Sequence, residues 1–425
     1  MTAHVIGRRG FLGLGAGLLA AATAGCGFGG ADAGLRVAWY GGAPVHEALD
    51  AALAAFTAGH PDAQLAAERA AFGDYWDKLA TQAAGGQAPD VFRMSMSYFT
   101  EYGQRGALLD LGEVAGSIRV GDLDPSVADS GTVDGRVLGI GQSTITHAGF
   151  VNRTQLEALG LEVPQRGWTW DELADLARSF TAAAGDGRYG TVDAGGIMQI
   201  FDVYARQHGT DLFTADGALA VGRDVIEEWF TFWDALRRDG VAPPADVTTE
   251  SRTFETSTLV TGRAPIHFGW VQQATFYQPL MRDVLEVVAV PAGADRSPAG
   301  QFVTALDFWC VSSETGEAER AAQLIDFLLN DDRAIRAVGV TLGIPPSERA
   351  RSLLGVDPAS AAGKAIALVD AVSGQVGPSP APWPRGYGEL QETFQRLSDE
   401  IGFGQSDPAR AAATFADEAD RVLSS

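Results

Sequence analysis

Three tryptophans stand beside glycine or proline rather than at the spacing of a helical core. They are Trp39 before Tyr40-Gly41-Gly42, Trp270 after Gly269, and Trp383 between Pro382 and Pro384. An aromatic face held this way can stack on the apolar C–H face of a ring such as a sugar. By analogy with aromatic pairs, each such contact adds about 0.5–1.5 kcal/mol beyond burial. The hydroxyls of a sugar then need side chains that donate and accept, such as Asp, Asn, Gln and Arg. Trp270 and Trp383 are the expected ligand-facing pair, and Trp168, Trp170, Trp229 and Trp233 are expected in cores. Motifs of covalent or metal chemistry are absent from the sequence: no GxSxG, HExxH, CxxC or GxxxxGK[ST]. The six histidines include no pair at i, i+4. His267, between Ile266 and Phe268, reads as a core or pocket-lining residue rather than a metal ligand. Asp331-Asp332 and Glu227-Glu228 read as solvated charge, and nothing marks a glycosidase carboxylate pair. No catalytic residue, metal or cofactor is expected. Cys310, within Leu306-Asp307-Phe308-Trp309-Cys310-Val311, reads as an apolar filler in a buried strand.

The elements that must position these residues follow an α/β pattern. Leu35–Tyr40 is predicted as a strand, followed by a helix with Val45, Leu49, Leu53 and Phe56 on one face. Leu65–Ala70 is a second strand, 75–84 a helix, Asp90–Met94 a third strand, and a further helix reaches Gly106. Strands alternating with helices predict a largely parallel sheet. Residues 112–139 read as a linking region rich in Asp and Gly. Further on, helices are expected from Trp170, over 225–236, from Ala318, and over 389–402 and 408–423, with a strand at Leu285–Val290. Pro378–Pro384 is a rigid, extended loop.

The N-terminus reads as an export signal. Arg8-Arg9 precede an apolar run of about 14 residues, too short for the roughly 20 a bilayer requires, and Thr23-Ala24-Gly25-Cys26 ends it. The twin arginines point to the Tat route, and cleavage before Cys26 would leave a lipidated cysteine. Residues 1–25 are thus expected as the signal and 26–34 as a flexible tether. The protein is expected outside the cytoplasmic membrane, anchored to its outer face. Net charge is −23 for the 425-residue chain, 46% of which is apolar. Such acidity argues against nucleic acid and against adsorption to anionic lipid. With Cys26 lipidated, Cys310 has no partner for an internal disulfide.

Several segments together are similar to the extracellular sugar-binding proteins of bacterial ABC importers, in the lipoprotein form of the maltose-binding-protein-like family. They run in the family's order: Tyr75-Trp76-Asp77-Lys78-Leu79, Gly85-Gly86, Ala88-Pro89-Asp90-Val91, and Arg105 through Leu111. Val151-Asn152, Leu159-Gly160-Leu161, Pro164, Trp168 through Leu173, and Gly209 through Phe213 with Asp216-Gly217 continue it. Thr261 through Trp270 is similar to the family's G-x-A-A-M-x-x-x-G-x-W segment, and Gly343 through Ser347 also matches. The sequence departs at Phe150-Val151-Asn152, where an aromatic precedes the asparagine in the family. Ile140-Gly141-Gln142 stands in place of I-P-x, and Pro265 in place of alanine.

The resemblance implies an α/β, two-lobe periplasmic-binding-protein fold of type II kind, hinge-linked, with the ligand between the lobes. The first lobe is expected to comprise 35–140 plus 289–335, and the second 141–288 plus 336–425. Carried over residue by residue, Tyr40, Met96, Ser97 and Tyr98 come from the first lobe, and Gln142 and Thr144 lie near the first crossing. Tyr204 and Trp270 come from the second lobe. Asp307 and Trp309 return to the first, and Trp383, Arg385 and Tyr387 close the cleft. Trp270 and Trp383 are expected to stack on the sugar. Asp307 and Arg385 either take hydroxyls or pair ionically, with Gln142 and Thr144 assisting. The implied partners are a carbohydrate, ABC permease subunits, and the membrane through Cys26, with the protein a monomer. A surface carbohydrate-active enzyme, a binding protein for another polar solute, and a ligand sensor that docks on a receptor stay open.

Overall fold

The computed structural model describes residues 34–296, 300–377 and 379–424. The signal segment, Cys26 and the tether up to residue 33 lie outside the described residues. Strand β1 (Leu35–Tyr40) is buried along nearly its whole length, as a parallel strand covered on both faces must be. Proline at the first turn starts the next helix, Ala43–Gly59, which buries Leu49, Leu53 and Phe56. Strand β2 (Leu65–Ala70) pairs parallel with β1 and lies at the sheet edge, so most of its side chains are partly or fully exposed. The helix Phe72–Ala84 leads to β3 (Val91–Ser95), also parallel to β1. Ser95 caps the helix Met96–Gln104 by accepting from the Ser97 backbone N–H.

The segment read as a linker is structured. It holds a 3-10 turn at Leu111–Ser117, a short helix at Pro125–Asp129, and a hairpin of β4 (Thr132–Val133) and β5 (Arg136–Val137). Asp134 and Gly135 turn that hairpin with φ of 51° and 76°, the left-handed pair a tight turn requires. Strand β6 (Ile140–Gly141) then leaves the first sheet. Strand β7 (His147–Asn152) enters a second sheet, flanked antiparallel by β8 (Ile266–Trp270) and β9 (Leu285–Val288). Strand β10 (Asp307–Val311) returns to the first sheet, antiparallel to both β3 and β6, completing the order β2-β1-β3-β10-β6. Among the described strands, the β1–β2 and β1–β3 pairs are parallel and the others antiparallel, so the expectation of a largely parallel sheet holds for the N-terminal part alone.

The second sheet is covered by helices Trp170–Ala184, Met198–Gln207, Arg223–Arg238, Tyr387–Gly402 and Pro408–Leu423. A true capping box, Thr169 with Glu172, starts the first of these. Trp168, Trp170, Trp229 and Trp233 are all buried in this core, as expected. Residues past 335 divide differently from the expected boundary. Helix Asp332–Val338 packs on Ala43–Gly59, and helix Glu348–Leu354 packs on it in turn. The Arg351 guanidinium donates to Asp124 at 2.9 Å and to the Pro345 carbonyl at 2.9 Å. Those contacts set 336–354 with the first sheet.

Trp309 corrects another expectation. It lies on β10 in the interior of the first sheet, 1% exposed, in one apolar cluster with Trp39, Leu49 and Val311. No face of it is left for a ligand. Replacing Trp309 with Ala is expected to lower unfolding free energy by about 3–5 kcal/mol. Urea titration measures that loss, and a loss below 1 kcal/mol would contradict the core assignment.

Candidate functional site

Tyr40, Ser95 and Asp307 meet at one edge of the first sheet, because β1 and β3 end there and antiparallel β10 begins there. Arg93, two residues in from the edge on β3 (Val91–Ser95), is buried and organises the group. Its Nη1 donates to the Tyr40 carbonyl at 2.9 Å and its Nη2 to Asp307 Oδ2 at 2.8 Å. The guanidinium lies 4.2 Å from the centre of the Tyr40 ring. The Tyr40 hydroxyl donates to the other Asp307 oxygen. With its amide oxygen turned inward, Gln142 accepts from Arg93 Nε at 2.9 Å and Nη2 at 3.0 Å. Burial, reinforced by Asp307, pushes the Tyr40 hydroxyl well above its ordinary range, so it stays a neutral donor.

Asp307 therefore pairs with Arg93, not with Arg385. Arg385 is exposed and has no ion pair among the described residues. The signal for Arg93 was an arginine inside the apolar strand Val91-Phe92-Arg93-Met94.

Beside this network lies an aromatic surface. Tyr98 stacks on Trp76 with centroids 3.9 Å apart, and half-exposed Phe72 meets Tyr40 edge-on at 5.1 Å. Ser97 is exposed, whereas Met96 is buried and its N–H donates to the Leu306 carbonyl at 2.8 Å. Thr100 donates from Oγ1 to the Trp383 carbonyl at 2.7 Å, tying this surface to the C-terminal segment. The Trp383 ring lies flat on Tyr387, centroids 3.9 Å apart and 4° between planes, and 6.5 Å from Trp270. Tyr387 itself is buried.

Two more expected residues are interior. Thr144 is fully buried, its N–H donating to the Ile344 carbonyl at 2.7 Å and its hydroxyl to Asp124 at 3.0 Å. Tyr204 packs between Trp170 and Trp229 in the second core. Both hold the scaffold rather than face a ligand, because helix and strand packing leave them no open side.

A cavity of about 440 Å³ opens on the second-sheet side, beside Trp270 at the end of β8 (Ile266–Trp270). Of the residues expected to touch a ligand, Trp270 alone lines it. Its ring lies 4.2 Å from that of His147. Gln199 reaches the cavity from helix Met198–Gln207. Gln391 and Gln395, one turn apart, reach it from helix Tyr387–Gly402. None of these three amides hydrogen-bonds to another described residue. Gln273 Oε1 accepts from the Trp270 N–H at 3.0 Å, which leaves its amide N–H groups for other partners. The Thr258 hydroxyl, also in the lining, is buried without a partner among the described residues.

His267 lines the wall as well. It donates from Nδ1 to the Phe268 carbonyl at 2.8 Å, leaving Nε2 as an acceptor 3.5 Å from the Tyr277 hydroxyl. Sequence reasoning missed the glutamines and Thr258. The available signal was the i, i+4 spacing of Gln391 and Gln395 on a predicted helix. Unlinked amides and a hydroxyl around an indole suit a polyhydroxylated ligand. Among the described residues, no group of three His, Cys, Asp or Glu is placed to hold a metal ion.

Two outcomes test this geometry. Arg93→Met leaves Asp307 buried without its cation and is expected to cost about 3–5 kcal/mol in urea titration; no change in midpoint would contradict the network. Burial holds His147 down to about 3, aided by the charge of Arg206, and His267 down to about 4. Both are neutral when folded, whereas the unfolded chain protonates them below its ordinary value near 6.5. The unfolded chain thus binds more protons below that value, and stability falls as pH falls toward about 4. His147→Phe should lose less melting temperature than the unmodified protein between about pH 7 and 4.5. Equal losses would place the proton uptake elsewhere.

Residues 51–365 match the model of the bacterial extracellular solute-binding protein family. A relative from Streptomyces antibioticus, an uncharacterized lipoprotein in the oleD 5′ region, is 25% identical over 359 residues, covering 79% of this chain and 75% of that one. The structure of an extracellular solute-binding protein family 1 member from Alicyclobacillus acidocaldarius is 28% identical with a TM-score of 0.78, covering 92% of this chain and 98% of that one. A periplasmic oligogalacturonide binding protein from Yersinia enterocolitica has the same fold, with TM-score 0.78 at 22% identity, covering 92% of this chain and 99% of that one. With two sheets joined by returning strands and a family match over most of its length, the chain belongs to the bacterial extracellular solute-binding proteins.

Proposed function

We propose that this protein captures a mono- or oligosaccharide between two lobes and delivers it to an ABC permease in the membrane. The carrying observation is the cavity beside Trp270, where the side chains of Gln199, Gln391, Gln395 and Thr258 have no hydrogen-bond partners among the described residues. Such groups donate and accept at once, as sugar hydroxyls demand, while Trp270 offers an apolar face. The solved relative named for oligogalacturonide supports a saccharide, and the lipoprotein relative supports a lipid on Cys26; the twin arginines Arg8-Arg9 are read as export through the Tat route.

The first lobe is read as 35–140 with 289–354, and the second as 141–288 with 355–425. The aromatic surface of Phe72, Trp76 and Tyr98 forms the facing wall, with Trp383 between the walls. Hinge closure around the ligand excludes water and creates the surface a permease reads. The protein binds and releases its ligand unchanged.

A thermal-shift screen against a saccharide panel tests this reading. A ligand at 100 times its dissociation constant adds about 2.7 kcal/mol of stability. A hit recovered unchanged supports binding for transport, and a hit that is consumed identifies an enzyme. Trp270→Ala is expected to weaken the hit at least tenfold in calorimetry while keeping the circular dichroism of the folded protein. Unchanged affinity would remove the cavity from the site.

A further inference from the structure

We infer that the ligand taken by this cavity is uncharged, and that uronates and other carboxylated solutes are rejected. The inference rests on the proposed reading of the cavity as the ligand site. Four charged side chains line it: Asp193, Arg252, Glu255 and Asp399. Three carboxylates face one guanidinium, and that guanidinium is already engaged, since Arg252 donates to Asp399. Asp193 is held by Arg237 at 2.6 Å and by the Gly195 N–H at 2.9 Å. Arg237 is buried and does not line the cavity. Glu255 has no ion pair among the described residues.

A ligand carboxylate entering here would lose water and find no uncommitted cation, which is strongly unfavourable. Drawing Arg252 onto the ligand would strip Asp399 of its partner instead. Cations of the first-sheet side are committed too. Arg93 is paired with Asp307, Arg69 with Asp50, and Lys78 with Glu68 at 2.7 Å. Among the described lining residues, the neutral groups left without partners are the Gln199, Gln391 and Gln395 amides and the Thr258 hydroxyl, and the charged one, Glu255, is an anion; behind the wall Arg237 keeps Nε and Nη2 unbonded, but its charge is met by Asp193. The chemistry of the neutral groups matches hydroxyls, and the excess of carboxylate in the wall repels an anion entering the cavity. The exposed Arg385 stands outside the lining and pairs with no carboxylate among the described residues.

The test is calorimetry on the purified protein with matched probes. Galactobiose and cellobiose are set against digalacturonate and cellobiuronate, with xylitol and citrate as non-saccharide partners of each charge. The uncharged member of the binding pair should be at least tenfold tighter. A tighter uncharged saccharide supports the inference together with the saccharide reading. A tighter xylitol supports the charge rule while overturning the saccharide reading. A carboxylated probe that binds as well or better overturns the charge rule whichever class it belongs to. Where Arg385→Gln then abolishes that binding, the guanidinium outside the lining is identified as the cause. In Glu255→Lys, which installs an uncommitted cation, the carboxylated probe should gain at least tenfold relative to its neutral match. No gain would also overturn the assignment.

Discussion

The pairing of Arg93 with Asp307 is the constraint on which the first sheet depends. It joins residues 214 positions apart in sequence, on the last N-terminal strand and on the strand that returns. A buried guanidinium is tolerated only when its donors and charge are met. Here Asp307, the Tyr40 carbonyl, the Tyr40 ring and the Gln142 amide meet them together. The Gln142 N–H in turn donates to the Asp307 carbonyl at 3.0 Å, so the same group sets where the chain leaves for the second sheet. One cation thereby registers β1, β3, β10 and the exit of β6.

The two sides of the protein use polar groups in opposite ways. At the first sheet edge, tyrosine, carboxylate and amide satisfy one another, which gives rigidity and leaves aromatic faces as the exposed chemistry. Around Trp270 the amides of Gln199, Gln391 and Gln395 are held on helices but bonded to no other described residue. In the proposed reading, the aromatic side and the polar side would be complementary halves for an amphipathic solute such as a sugar.

Much of the scaffold was legible in the sequence, because its signals are local. Leu35–Tyr40, Leu65–Ala70 and the helices near both ends follow from apolar period and from Gly, Pro and capping residues. Cys310 and the four core tryptophans followed from their apolar neighbours. The site was less legible. Trp270 was identified by its glycine neighbour, whereas Trp309 and Tyr204 entered through the family resemblance alone and are core. Whether an aromatic faces a cleft is decided by helices packed from distant sequence, as Trp170 and Trp229 do around Tyr204. Gln391 and Gln395 lie on a helix whose sequence carries no sign of a cavity; β8 and the loop at Arg252–Glu255, distant in sequence, make that face a cavity wall.

Strand β10 sits between β3 and β6, in the interior of the first sheet, yet it is encoded more than two hundred residues after β3. During synthesis the flank of β3 carrying Phe92 and Met94 therefore lacks its neighbour for on the order of 10–40 s, at ordinary elongation rates of about 5–20 residues per second. Until Asp307 emerges, Arg93 also has no counter-charge. Completion of the first sheet is a late event, requiring most of the chain to be made before its N-terminal part can close. A chain cut before residue 307 would lack β10, the strand that lies between β3 and β6, and with it the counter-charge of Arg93.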